Sequence, residues 1–225
     1  MQEFWRYPLT YLVILLNSAV YLFSSIYSGS IVEMNLRVLV NMGALYGPLT
    51  VLHKEWWRLF AAMFLHGGMT HLLMNMVSIY LIGRGMELYF EKKAYISIYL
   101  FAGLVGGLVS LLVHPESVGI GASGAIFGVF GALAGFFLAH RKRRDVRTQA
   151  FMKDFAVIMG INLVLGFSIE SIDVTAHIAG LATGFVGGFM LSRQPRLIWV
   201  YALVMLGVIV SFIRYLPYYY VQYYT

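Results

Sequence analysis

The sequence predicts an all-α protein, a polytopic bundle of seven helices that cross a membrane. Of its 225 residues, 60% are apolar and 12% are charged, whereas a soluble domain has about 45–50% apolar and about 25% charged residues. The apolar residues are grouped in segments close to the ~20 residues that a helix needs to cross a bilayer core of ~30 Å. Composition and grouping together argue against a soluble protein.

Seven predicted spans follow one another along the chain. The opening residues MQEFWRYP run straight into the first apolar segment without a small-residue cleavage site, so we expect a first span here, with no soluble domain before it. The second and fifth spans are short and polar, and functional groups are expected in them. The predicted spans are residues 8–28, 69–83, 94–113, 120–139, 155–169, 171–191 and 197–213.

Residues 29–68 separate the first two spans and are too long for a simple connection. They contain WWRLFAAMFLHGG, an amphipathic stretch too short to cross the bilayer, so this segment is expected to lie in the membrane interface. Within it, Arg58 and His66 are expected to face the outer interface as structural hydrogen-bonding groups and not as catalysts.

The basic residues predict which side of the membrane each loop occupies, because short cytoplasmic loops are enriched in Lys and Arg. With the N-terminus in the cytoplasm, twelve of the sixteen Lys and Arg residues lie inside; those outside are Arg37, Lys54, Arg58 and Arg214. The tail YYYVQYYT then lies outside, where aromatic residues suit the interface. The tract RKRRDVR could instead bind nucleic acid or lipid, but a loop that sets the topology explains it, and no nucleic-acid partner is expected.

The residue inventory excludes several chemistries. The chain has no cysteine, so a disulfide framework, a thiolate nucleophile and a Cys-ligated metal are excluded. It has no HExxH motif and no other spacing of His, Asp and Glu that suggests a metal site. We therefore expect no metal and no cofactor.

Ser123 lies in the sequence GASG at the outer end of the fourth span. The glycines of this region are Gly121, Gly124, Gly128, Gly131 and Gly135. Their spacing forms a nearly bare stripe along a helix, which lets a neighbouring helix approach closely. GxSG alone is a weak motif, and Ser123 could be no more than another small residue beside this stripe.

His177 lies in DVTAHIAGLATGFVGG, on the sixth span. It shares a helix face with Gly180 and Gly184, so it is predicted to face a packed neighbour and not lipid. An ionisable side chain inside a span is costly and marks a functional site by default. Because the fourth and sixth spans both begin outside, Ser123 and His177 can lie at similar depth. His177 could otherwise be a proton relay or a polar packing group.

His71 and Asn75 lie in HGGMTHLLMN, at positions i and i+4 on one face of the second span. Acyl transfer needs donors directed at the developing oxyanion, and a His N–H and an Asn amide can supply them together with the nucleophile's backbone N–H. The pair could instead be a structural polar contact between helices, which contributes about 0.6 kcal/mol on average in membranes.

Together, in this order, these motifs resemble the rhomboid family of intramembrane serine proteases, over about residues 8–191. WWR at 56–58 resembles the signature of the family's first outer loop, and Glu87 matches an acidic position that follows the second span. The resemblance implies a six-helix rhomboid-like core over residues 1–193, which includes the loop 29–68. Residues 194–225 would form an additional transmembrane helix and tail.

The resemblance also implies a role for each site residue. Ser123 and His177 form the catalytic dyad, while His71 and Asn75 line the oxyanion hole with the backbone of Ser123. Phe127, one turn after Ser123, takes the position of an aromatic ring that packs against the catalytic His; this position is often Tyr, so a hydroxyl is missing here. The structural residues near the site are Gly121, Gly124, Phe127, Gly180 and Gly184.

The dyad is expected to lack a catalytic carboxylate. The acidic residue nearest to His177 in sequence is Asp173, one turn earlier at the membrane surface. Packing must then orient the imidazole, and a slow enzyme is expected. His53, His114 and His140 fall at loops or helix ends without a recognisable motif.

The expected function is cleavage of membrane proteins within their transmembrane segments, near the outer leaflet of the cell membrane. Hydrolysis needs a cavity open to the outer face, and a substrate helix must unwind first, so helix-weakening residues are expected there. The resemblance implies substrate access beside the second and fifth spans, under the loop 166–173. The oligomeric state stays open.

Two alternative functions remain. The chain could be a non-catalytic rhomboid-like protein that binds transmembrane helices. It could also be a small channel or transporter that uses His71, Asn75 and His177 as a polar pathway, although it shows no obvious internal repeat.

Overall fold

Seven long helices make up most of the computed structural model, which describes residues 2–142, 146–168 and 173–224. Within these ranges each of the seven has at least 17 residues. They are α1 (Pro8–Ser28), α2 (Met69–Tyr89), α3 (Lys92–Val113), α4 (Ser123–Ala139), α5 (Val146–Ser168), α6 (Val174–Arg193) and α7 (Ile198–Tyr224). The predicted all-α helical bundle is confirmed.

By length and composition, four of the described helical stretches can cross a membrane. They are Pro8–Ser28, Lys92–Val113, Val174–Arg193 and Pro195–Tyr224, the last of which joins a short 3₁₀ turn to α7. Helix α4 is apolar throughout but shorter, with 17 residues. Helix α2 carries the polar residues His71 and Asn75, as expected of the second span, and α5 carries Asp154, which lies one residue before the predicted fifth span.

Three helices extend more than two residues beyond their predicted spans. Helix α2 continues to Tyr89 instead of residue 83, α5 begins at Val146 instead of residue 155, and α7 continues to Tyr224 instead of residue 213. Hydropathy detects only the apolar part of a helix, whereas its backbone hydrogen bonds continue into the polar ends. As a result, Glu87 lies inside α2 and does not follow it.

The segment 29–68 folds into several short elements. Strand β1 (Leu45–Tyr46) pairs antiparallel with β2 (Val118–Gly119), which joins this segment to the connection between α3 and α4. Its other elements are the helices Leu36–Asn41 and Arg58–Ala61, a π-helix at Pro48–Leu52 and a 3₁₀ turn at Ala62–Phe64. Outside the segment, the short helices Gln2–Arg6 and Pro195–Leu197 precede α1 and α7.

Arg58 and His66 are both buried inside the protein, so the prediction that they face the outer interface is wrong. The Arg58 guanidinium donates to the Glu55 carboxylate at 2.6 Å and to the carbonyl oxygens of Val40 and Ala44 at 2.5 and 3.1 Å. These acceptors satisfy a charge that would be costly to bury alone. Arg58 thereby ties distant parts of segment 29–68 together.

Helix α4 lies at the centre of the bundle, where 13 of its 17 residues are buried. It packs most closely against α6 and α3, and α2 covers another side. Helix α1 packs on α2, while α7 packs on α3 at the periphery. The first turn of α4 is therefore enclosed by other helices and shielded from lipid.

Candidate active site

Ser123 is the first residue of α4 and follows a tight turn. Gly121 has a φ of +114°, a conformation that residues with a side chain rarely adopt, and its N–H donates to the carbonyl oxygen of Ala62 at 2.9 Å. This bond anchors the turn to segment 29–68 just before the helix begins. At the start of a helix, the Ser123 backbone N–H has no intrahelical acceptor, and the helix dipole there favours negative charge.

His177 lies in the first turn of α6 and is 7% exposed. Asp173 is the N-cap residue of this helix, and its carboxylate accepts a hydrogen bond from the backbone N–H of Ala176 at 3.0 Å. N-capping by Asp stabilises a helix start by about 1 kcal/mol. The carboxylate nearest to His177 in sequence is thus engaged by the backbone of its own helix.

Glycines bring α4 and α6 into direct backbone contact. A methyl group at Gly180 would overlap the carbonyl oxygen of Gly124, and one at Gly184 would overlap that of Gly128. A step of four residues along α4 matches a step of four along α6, so the two helices run parallel. Their first turns therefore lie side by side at the same end of the bundle.

The Phe127 ring packs flat against the His177 imidazole. The ring centroids are 4.2 Å apart and the ring planes differ by 9°. Phe127 follows Ser123 by one turn of α4, so the helix that carries the serine also fixes the plane of the imidazole. Close packing in a protein interior restricts side-chain rotation, and this contact orients His177 without a carboxylate.

One cavity of about 540 Å³ is lined by Ser123, His177, His71 and Asn75, the four residues predicted to act in catalysis. Two of them come from the first turns of α4 and α6, and the other two come from the first two turns of α2. Within the described part of the chain, the Ser123 hydroxyl makes no hydrogen bond to the imidazole. Such bonds are often long in a free enzyme and tighten when substrate binds.

His71 and Asn75 lie beside the turn that leads into Ser123. A methyl group at Gly121 would lie 2.8 Å from His71 Nε2 and 3.7 Å from Asn75 Nδ2. Asn75 is 6% exposed, and its Nδ2 has no hydrogen-bond partner among the described residues. An unpaired buried amide costs about 1–3 kcal/mol. This amide is therefore free to donate to a group bound in the cavity.

His66 packs behind His71. It is fully buried, its Nδ1 lies 3.3 Å from the carbonyl oxygen of Phe64, and its ring meets that of His71 edge to face with centroids 5.0 Å apart. Burial, with a smaller effect from His71, lowers the pKa of His66 to about 3. A neutral His66 places no charge next to His71.

Of the other histidines, His114 has a contact near the site that the sequence did not indicate. Its Nε2 lies 3.1 Å from the Thr175 hydroxyl, two residues before His177. The contact joins the end of α3 to the start of α6 across 61 positions, so no local motif could reveal it. Among the described residues, no group of three or more His, Cys, Asp or Glu side chains could hold a metal ion.

Comparison with known proteins gives a consistent family likeness. A family model, the rhomboid domain, matches residues 53–194. The chain is 31% identical over 198 residues to the protein YdcA of Bacillus subtilis (strain 168), an alignment that covers 87% of this chain and 94% of YdcA.

Other relatives are longer than this chain. RHOMBOID-like protein 6, mitochondrial, of Arabidopsis thaliana is 38% identical over 161 residues, which cover 72% of this chain and 52% of that protein. Rhomboid protease GluP of Bacillus subtilis (strain 168) is 37% identical over 178 residues, which cover 78% of this chain and 33% of GluP. The chain thus spans about half, or less, of the length of these relatives.

Proposed function

This chain belongs to the rhomboid family, and from that membership we propose that it is an intramembrane serine endopeptidase. It cleaves transmembrane segments of membrane proteins near the outer leaflet, through a dyad of Ser123 and His177. The observation that supports this most directly is that Ser123, His177, His71 and Asn75 line the same cavity.

The reaction proceeds by two acyl transfers. The Ser123 hydroxyl oxygen attacks the scissile carbonyl carbon while the His177 imidazole takes its proton, and the protonated imidazole then gives this proton to the leaving amine as the C–N bond breaks. Water next attacks the acyl-serine carbonyl carbon while His177 takes its proton; the ester C–O bond then breaks, the carboxylic acid product leaves, and His177 returns the proton to the serine oxygen. The flat contact with Phe127 supports this role, because it holds the imidazole in one plane.

The oxyanion formed in each transfer is stabilised by three groups: the His71 imidazole, the Asn75 amide and the Ser123 backbone N–H. The position of both side chains next to Gly121 and the unpaired Asn75 Nδ2 support this assignment. Donors fixed in advance around developing charge are usually the largest single contribution to this type of catalysis.

Substrates are proteins with a transmembrane helix that unwinds easily at its outer end. A helix holds its own carbonyl groups in hydrogen bonds, so residues with low helix propensity must expose the scissile bond before attack. We place substrate access beside α2 and α5. The loop 166–173, predicted to cover this route, falls partly on residues 169–172, which lie outside the described residues.

The chain is a multi-pass membrane protein of its family. We propose that it lies in the cell membrane with its N-terminus in the cytoplasm and its C-terminus outside. This orientation puts the first turns of α4 and α6 at the outer face, where water can reach the cavity.

A fluorophosphonate probe, which reacts with activated serines, tests the proposal. We expect the purified protein to be labelled and to cleave a single-span test substrate. The Ser123→Ala variant should lose both properties, while its thermal stability stays nearly unchanged because only a hydroxyl is removed. Ser110 lines the same cavity, so Ser110→Ala is a matched control that should keep its labelling.

Labelling or cleavage that persists in Ser123→Ala would refute the dyad. A wild-type protein that binds transmembrane helices but is neither labelled nor active would support the non-catalytic alternative. The His177→Ala variant should be as inactive as Ser123→Ala, and the double variant should be no worse than either, because the two residues act as a unit.

A further inference from the structure

One face of the C-terminal end of α7 is buried, although most of this helix faces away from the protein. Leu216 and Tyr220 are both 0% exposed, whereas Tyr218 and Tyr223 on the neighbouring turns are 63% and 51% exposed. Leu216 and Tyr220 pack in one cluster with residues of segment 29–68 and the end of α3. A helix that only anchored the chain in lipid would not need to bury Leu216 and Tyr220 against the rest of the protein.

The Tyr220 hydroxyl replaces a hydrogen-bond donor that α3 lacks. The carbonyl oxygen of Leu111 in the last turn of α3 would normally accept from the N–H four residues later. That residue is Pro115, which has no N–H. The Tyr220 hydroxyl lies 2.8 Å from the Leu111 oxygen and 3.4 Å from the Pro115 oxygen. Because a hydroxyl has one proton, the shorter bond to Leu111 is the main one.

The contact between Tyr220 and Leu111 lies at the start of the connection between α3 and α4, which leads to Ser123. Gly47, next to β1, packs against the contact between Tyr220 and Pro115. A methyl group at Gly47 would overlap both the Pro115 oxygen and the Tyr220 hydroxyl. Three residues after Pro115 the connection pairs with β1, and Gly121 is then bonded to Ala62. The chain from α3 to Ser123 is thus held at three successive points, and α7 supplies the first.

Residues that pack behind the cavity also belong to the cluster that contains Leu216 and Tyr220. Leu45, Leu59 and Ala62 are buried in one cluster with Leu216 and Tyr220. The same three residues also line the cavity that contains the candidate site. One layer of side chains therefore separates the C-terminal end of α7 from the cavity.

We propose that Tyr220 is a positioning residue for the active site: its hydrogen bond to Leu111 fixes the connection 114–122, which sets the positions of Gly121 and Ser123. The catalytic consequence rests on the proposed function, whereas the restraint on the connection does not. Helix α7 therefore contributes to the reaction from outside the cavity.

The test compares Tyr220→Phe with Tyr223→Phe, a matched change on the same helix at an exposed position. Hydrogen exchange should speed up about three- to tenfold in the backbone amides of residues 116–122 in Tyr220→Phe alone, as expected for the loss of one hydrogen bond. The kcat for a single-span substrate should fall about three- to tenfold, with KM within about twofold, because the missing bond shifts the nucleophile and not the substrate site.

Gly47→Ala provides a second way to disturb the same contact, since its methyl group would overlap both the Pro115 oxygen and the Tyr220 hydroxyl and must force them apart. It should reproduce the faster exchange in residues 116–122 and the lower kcat. Exchange and kcat in Tyr220→Phe equal to those in Tyr223→Phe would overturn the proposal, as would faster exchange with unchanged kcat. If the wild-type protein neither cleaves nor binds the serine probe, the proposed function fails, and the exchange data still decide whether Tyr220 restrains the connection.

Discussion

At the scale of single residues, Asn75 distinguishes a catalytic role from a structural one. A structural polar pair between helices has its hydrogen bonds made in the folded protein, whereas an oxyanion donor waits for a charge that exists only during the reaction. The Asn75 Nδ2 group is buried, has no partner among the described residues and lies close to Gly121. The catalytic role and the structural role therefore predict different effects of removing it.

We predict that Asn75→Ala lowers kcat by about tenfold or more and changes KM little. Loss of one oxyanion donor costs about 2.7–4 kcal/mol in a soluble serine protease, but His71 and the Ser123 N–H remain here to compensate in part. Thermal unfolding and cleavage kinetics should be measured on the same detergent-purified sample. A lower melting temperature with unchanged kcat would show that Asn75 only connects helices.

Residue type and spacing were sufficient to single out four of the polar residues that line the cavity, but not Thr70 or Ser110. A polar or ionisable group inside a span is costly, and His177 shares its helix face with glycines that point to a close neighbour. The contacts of Glu87 and Tyr220 could not be predicted in this way, because they join residues 77 and 109 positions apart. Nothing in the local sequence distinguishes Tyr220 from the other tyrosines of the tail.

At the scale of helices, the contact of α4 with α6 determines how the two catalytic candidates meet. The glycines along both helices remove the side chains that would hold the backbones apart, as in other close membrane helix pairs. The carbonyl oxygen of Gly128 occupies the space where a side chain at Gly184 would begin. Any larger residue at this position must separate the helices.

We predict that Gly184→Val impairs folding as well as activity. Overpacking a tight interior costs about 1–3 kcal/mol and occasionally more, and here the obstacle is backbone, which cannot rotate away. The matched control is Gly207→Val on α7, where an added Cβ atom would meet no atom of another part of the protein within 4 Å. Thermal unfolding and cleavage of both variants test this, and normal stability of Gly184→Val would mean that these faces do not meet.

A second contact between helices joins α2 to the start of α1. The Glu87 carboxylate accepts hydrogen bonds from the backbone N–H groups of Leu9 and Thr10 at 3.1 and 2.8 Å. The first N–H groups of a helix have no partner within it, and a negative charge there is favoured by the helix dipole. Glu87 on α2 therefore caps α1, which explains a carboxylate inside a helix of the bundle.

We predict that Glu87→Gln lowers the free energy of unfolding by about 1–3 kcal/mol, because the new NH₂ group faces a backbone N–H that is left without an acceptor. Glu91→Gln is the matched control, since Glu91 is exposed and its side chain makes no capping bond at the start of α3. Denaturant titration in detergent measures both. Equal stability of the two variants would contradict the capping role, and kcat per folded molecule should change little in either.

At the scale of the whole molecule, hydropathy was sufficient to predict the fold class, because burial in lipid selects apolar segments of a fixed length. It did not determine where the polar helices end. Charges such as Arg84 and Glu87 interrupt the apolar pattern of α2 while the helix itself continues to Tyr89. The orientation in the membrane is a separate property, which rests on the distribution of Lys and Arg between the loops.

The absence of cysteine from the chain makes that orientation directly testable. Arg37 and Lys142 are both exposed, and the proposed topology puts them on opposite sides of the membrane. In intact cells, a membrane-impermeant maleimide should label Arg37→Cys but not Lys142→Cys. After the membrane is permeabilised, both variants should react, while the cysteine-free parent should never react.

The labelling results distinguish the orientation of the protein in its membrane from the choice of membrane in which it lies. Labelling of Lys142→Cys alone in intact cells would invert the topology and put the first turns of α4 and α6, with the cavity, on the cytoplasmic side. Labelling of neither variant before permeabilisation would place the protein in an internal membrane. Cleavage would then have to be sought in substrates of that membrane, because a cavity that opens on one face can cut only segments that reach the same face.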